Sequence, residues 1–113
     1  MPSASDHFAE SEPGVHALYE ELVRRLNAIG PVVEDPKKTC IHLNRKSALA
    51  GVYVRKRYLL LEFKTDYPID SPRITKSEQI SRSRWHHATK VDSTESLDSE
   101  LMRWLSDAHA LSS

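Results

Sequence analysis

"TCIHLNRKSALAGVYVRKRYLLLEFKT", Thr39 to Thr65, alternates apolar and polar residues three times in succession. In the first run Thr39, Ile41 and Leu43 stand against Cys40, His42 and Asn44. In the second Ala50, Val52 and Val54 stand against Leu49, Tyr53 and Arg55, and in the third Leu59, Leu61 and Phe63 against Leu60, Glu62 and Lys64. Successive side chains of a strand leave opposite faces, so this period of two predicts three strands, each with one apolar and one mixed face. The links "RKS" and "KR" suit tight turns, and the strands therefore form an antiparallel meander with one face open to solvent.

On the amino-terminal side lies "GVHALYEELVRRLNAIG", with Val15, Leu18, Tyr19, Leu22, Leu26 and Ile29 at intervals of three, four and seven. That spacing is the apolar stripe of a helix, entered through Pro13 and closed by Gly30 and Pro31. Glu20 and Glu21 precede Arg24 and Arg25 by four residues each, a pattern that supports a solvated helix face rather than catalysis. Residues 1–12 are acidic and polar and read as a flexible tail, unless Phe8 docks on the domain.

On the carboxyl-terminal side "DYPIDSPRI" reads as a loop by its prolines, and "TKSEQISRSR" as either a short strand with a turn or an irregular crossing. "WHHATKV" reads as another strand. Asp92 or Ser93 can cap a final helix, over which Leu97, Leu101, Trp104, Leu105, Ala108 and Leu111 form a second stripe. The expectation is a two-layer α+β domain over residues 13–113. Its antiparallel sheet has four or five strands and a meander core, with the N- and C-terminal helices packed on one face.

A chain of 113 residues, 39% hydrophobic and 28% charged, fits one globular domain that buries its core without disulfides or metals. No apolar run approaches the ~18 residues of a membrane span, and the acidic amino terminus lacks a leader's basic start and apolar stretch. Cys40 is the only cysteine, which rules out an intramolecular disulfide and any Cys-x-x-Cys metal or redox motif; it reads as a buried, inert thiol. These features point to a cytoplasmic protein with no membrane partner and imply no cofactor.

The net charge of zero hides a separation. Lys37 to Lys90 holds 13 basic residues against four acidic ones, whereas the flanks hold three basic and 12 acidic. With acidic helices on one side, the basic residues Arg45, Lys46, Arg55, Lys56, Arg57, Lys64, Arg84 and Lys90 fall on the open sheet face and its rim. His42, Asn44, Tyr53, Tyr58 and Leu60 lie among or beside them.

"WHHATKV" resembles a two-histidine site, but strand geometry divides it. Trp85, His87, Thr89 and Val91 belong to the helix-covered side, and His86, Ala88 and Lys90 to the open side. His87 is then a buried imidazole with a hydrogen-bond partner, or a base in a cleft beside Arg73 and Lys38. A zinc site built from His86, His42 and Cys40 lacks a fourth ligand, so no metal is expected. "EFK" sets Glu62 and Lys64 on one side of a strand, like the final acid-x-lysine element of some metal-dependent nucleases, but the nearest upstream acid is Asp35, in a turn. The serines have no nucleophile-elbow context, and Gly14, Gly30 and Gly51 build no phosphate loop.

Taken together, "VHALYEEL", "PKKTCIHL", "SALAGVYVRK", "DSPRI", "HHATKV" and "LDSELMRWLSDAH" resemble a small bacterial domain family of unknown function, sometimes labelled "predicted transport protein". Its members occur alone or fused to other small uncharacterised or restriction-system domains. The resemblance covers about Pro13 to Leu111 and implies one compact domain, with no catalytic set or cofactor to carry over. Lys38, Thr39, His42, Arg55, Arg73 and His87 match the family's recurring polar positions, whereas Cys40 departs from the small polar or aromatic residue expected there.

The reading is a binding or accessory module that uses the basic open face or the adjoining loop cleft for an anionic small molecule or nucleic acid. Its candidate ligand-binding residues are Lys38, His42, Arg55, Lys64, Arg73 and His86. One alternative is a small enzyme with His87 and Arg73 in the cleft. Another is a protein-interaction domain, such as a homodimer paired through Leu49, Tyr53 and Leu60 on the open face.

Overall fold

A computed structural model describes residues 4–112. In chain order the elements are helix α1 (Pro13–Ile29), strands β1 (Val33–Pro36), β2 (Ile41–Asn44), β3 (Ala48–Val54), β4 (Leu59–Thr65), β5 (Ile74–Ser81) and β6 (Arg84–Val91), and helix α2 (Ser99–Leu111). Short 3-10 turns at Ala4–Phe8 and Thr94–Ser96 precede the two helices. All pairings are antiparallel and the strand order is β1-β2-β3-β4-β6-β5.

The meander predicted over Thr39–Thr65 is β2-β3-β4, but the sheet has six strands where four or five were expected. The additional strand is β1, while β5 takes the strand-with-turn reading of "TKSEQISRSR"; these two are the edges. β1 is four residues long and ends at Pro36, and β5 is exposed along nearly its whole length. Neither buries a face, so neither leaves an alternating apolar pattern; backbone pairing with one neighbour holds each in place. β5 and β6 form a hairpin whose second strand sits between β5 and β4.

Register places Ile41, Val52, Leu61 and Thr89 in one cross-strand row, and Leu43, Ala50, Phe63 and His87 in the next. All are buried, together with Leu18, Leu22 and Leu26 of α1 and Leu101, Leu105 and Ala108 of α2. This is the helix-covered face, as the apolar phasing predicted, and each large aliphatic side chain sealed there contributes about 1.5–3 kcal/mol.

The cap of the last helix differs from expectation. Asp98, rather than Asp92 or Ser93, accepts a hydrogen bond from the Leu101 amide at 3.0 Å, and Leu97 is buried just before the helix begins. Ahead of α1, Phe8 does dock: its ring stacks on His16 at 4.3 Å and tilts against Tyr19 at 5.2 Å. The Tyr19 hydroxyl donates to Glu34 of β1 at 2.5 Å. No helix among the described residues is long and apolar enough to cross a membrane.

Two glycines contrast. At Gly30 an added Cβ would collide with the His109 ring, so close packing requires glycine there. At Gly51, inside β3, a Cβ would meet nothing within 4 Å, and the backbone is not in the left-handed region.

Candidate functional site

On the open face, His42 of β2, Gly51 of β3, Glu62 of β4 and Ala88 of β6 form one cross-strand row. Lys64 and His86 are partners in the next row on the same face, and Tyr53, Leu60 and Lys90 make the row on the other side. Because Gly51 has no side chain, this surface is recessed at its centre. The recess is a pocket of about 170 Å³ whose walls include Cys40, His42, Tyr53, Glu62, Lys64 and His86.

The lining combines opposite charges with a flat apolar wall. His86 Nε2 lies 3.3 Å from a Glu62 carboxylate oxygen, and both side chains are about one quarter exposed. Lys64 is exposed beside them and makes no ion pair within the described residues. The Tyr53 phenol is held above its ordinary pKa, first by burial and then by the Glu62 carboxylate, so it offers a neutral hydroxyl. The buried Cys40 thiol lines the same recess.

Three sequence candidates, His42, Lys64 and His86, therefore converge. Lys38 is exposed in the β1–β2 connection. Arg55 lies in the β3–β4 turn with its guanidinium 5.6 Å from the centre of the Tyr53 ring, at the margin of the same face. Arg73 is committed elsewhere: it donates to Asp98 at 2.8 and 3.1 Å, to Glu100 at 3.0 Å and to the Ser96 carbonyl at 2.7 Å, and lies over the Trp104 ring. These bonds fasten the loop after β4 to the start of α2. The Leu101 amide and then the Arg73 guanidinium hold the Asp98 carboxyl below its ordinary pKa.

His87 has no exposed surface. The Thr65 hydroxyl donates to the Tyr67 carbonyl at 2.6 Å and so accepts from His87 Nε2–H at 2.8 Å, while the Ser77 hydroxyl donates to Nδ1 at 2.9 Å. With both nitrogens occupied, the ring is a neutral imidazole in a fixed tautomer, and burial pushes its pKa down. It presents no free base to a bound molecule. Among the described residues, no group of three or more His, Cys, Asp or Glu is placed to hold a metal ion.

Sequence reasoning passed over Gly51 as the floor of a site. A lone glycine inside a run otherwise rich in β-branched and aromatic residues was the available signal. The charge pattern also reads differently in three dimensions: Asp35, Glu62 and Glu78 share the open face with Lys64, Lys76 and Lys90. Arg45 instead donates to the His109 carbonyl at 3.0 Å, and Arg57 pairs with Glu12 at 3.4 Å.

In comparisons with known proteins, a family described as a domain of unknown function (DUF5655) matches residues 4–112. No curated protein and no solved structure matches the chain.

Proposed function

The chain belongs to the DUF5655 domain family, and we propose that it is a binding module which seats a small carboxylate-bearing molecule over Gly51. The observation that carries this reading is the glycine itself. Glycine inside a strand costs about 0.5–1 kcal/mol relative to alanine, yet neither backbone conformation nor packing calls for it at this position. What it does supply is close access to the sheet backbone, ringed by side chains able to orient a ligand.

The lining suggests the ligand's chemistry. Lys64 and His42 suit an anionic group, Glu62 suits a hydroxyl or ammonium donor, and Tyr53 offers a flat wall. A small hydroxy- or amino-carboxylate satisfies all of these. A volume near 170 Å³ lies below the roughly 300 Å³ at which drug-sized sites begin. An extended phosphate-tracking surface has less support, because Asp35, Glu62 and Glu78 interrupt the cations along this face.

The test is a thermal-shift and calorimetric screen of small hydroxy- and amino-carboxylates against the wild type, Lys64→Glu and Gly51→Val. A ligand at one hundred times its Kd stabilises the folded chain by about 2.7 kcal/mol, a rise of several degrees in Tm. Gly51→Val should fold at least as stably as wild type and lose the shift, and Lys64→Glu should weaken it. A screen with no hit, or a Gly51→Val variant that binds undiminished, would remove the proposal.

A further inference from the structure

We infer that the free edge of β5 pairs with β5 of a second copy of this chain, antiparallel about a two-fold axis through Ser77. β5 ends the sheet: among the described residues its only partner is β6, and its eight residues are exposed almost throughout. A long, exposed edge with unpaired backbone groups is a template for another strand. The opposite edge is not equivalent. β1 has four residues and ends at Pro36, and the amino-terminal segment crosses beside it, with His7 Nε2 bonded to the Lys37 carbonyl at 2.7 Å.

The occupant is chosen by the sequence of β5 itself. Between the register shifts at Ile74/Lys76 and Gln79/Ser81, pairing about Ser77 sets Lys76 opposite Glu78, a pair that occurs twice. Lys76 and Glu78 both project from the open face, being the cross-strand partners of Ala88 and His86, so the opposed charges meet on one side of the combined sheet. Within the described residues of one copy, neither charge has an ion-pair partner. Ile80 is one of only two large hydrophobic residues exposed among those described, and it lies on this same edge strand. An isologous contact of this kind closes at two copies and leaves the pocket at Gly51 on each protomer facing the same side.

Sedimentation equilibrium of the full chain, from micromolar to near-millimolar concentration, reads the association directly. The wild type should approach twice its 12.9 kDa as concentration rises. Lys76→Glu or Glu78→Lys alone places like charges opposite each other at both pairs and should weaken association about tenfold. The double variant Lys76→Glu/Glu78→Lys restores opposite charges and should recover the wild-type constant, and an equimolar mixture of the two single variants should associate with each other. A wild type that stays monomeric throughout would overturn the inference. So would single variants that associate like wild type, or a double variant that fails to recover, since any contact not centred on Ser77 is indifferent to the swap.

Discussion

His86 and His87 are adjacent on one strand and lead opposite lives. His87 looks toward the helices, where Thr65 and Ser77 take both of its nitrogens and Phe63 packs against its ring at 5.4 Å. His86 looks outward, pairs with Glu62 across the sheet and borders the recess at Gly51. One side chain is sealed as part of the fold, and the other is free to meet a ligand. Residue type alone does not separate them; the parity of the strand does.

The comparison breaks most visibly on truncation. His87→Ala removes a buried ring and orphans two hydroxyl partners, and should cost about 3 kcal/mol of unfolding free energy. His86→Ala, on the half-open face, should stay within about 0.5 kcal/mol of wild type. Urea titrations of the two variants decide the matter, and comparable losses would show that the two faces are not energetically distinct.

Arg73 and Lys64 extend the contrast to cations. Both are candidates for an anionic ligand, but Arg73 spends its donors on Asp98, Glu100 and the Ser96 carbonyl, whereas Lys64, at the pocket, makes no ion pair among the described residues. Arg73→Met should destabilise by about 1–2 kcal/mol. Arg73→Lys should recover only part of that loss, because a point charge cannot reproduce the planar fork. Lys64→Met should leave stability nearly unchanged, and an Arg73→Met variant as stable as wild type would return that guanidinium to the list of available ligand groups.

What could be read from the sequence follows the same division. Leu59, Leu61 and Phe63 announce their strand because burial on one face imposes a period of two, and Val15, Leu18, Leu22 and Leu26 announce α1 because helical burial imposes a longer one. β1 was not legible as a strand and β5 only as one of two readings, because an exposed edge constrains backbone bonds and leaves side chains free. At the site, His42, Lys64 and His86 could be named as candidates from parity and charge. Their meeting around Gly51 could not, since it depends on the cross-strand register of four strands. The bonds of Arg73 are not legible in the sequence either, because Asp98 and Glu100 are 25 and 27 residues away, a distance over which charge patterning gives no sign of pairing.

The smallest expected effect tests the electrostatic half of the histidine contrast. Burial lowers the pKa of His87 in the folded chain, while the unfolded chain titrates near the ordinary value of about 6.5. As pH falls through that value the unfolded state gains a proton that the folded state declines, so stability present above it is lost on acidification toward the depressed folded value. Between pH 7 and 6 this single group accounts for at most about 0.7 kcal/mol. His87→Gln keeps a hydrogen-bonding side chain but removes the titration, so the stability gap between wild type and variant should narrow by up to that amount over the interval. Urea midpoints measured at the two pH values give the gap directly. A gap that instead widens on acidification would mean that the folded chain binds the proton more tightly than the unfolded one, placing His87 beside an anionic group rather than in a neutral, sealed network.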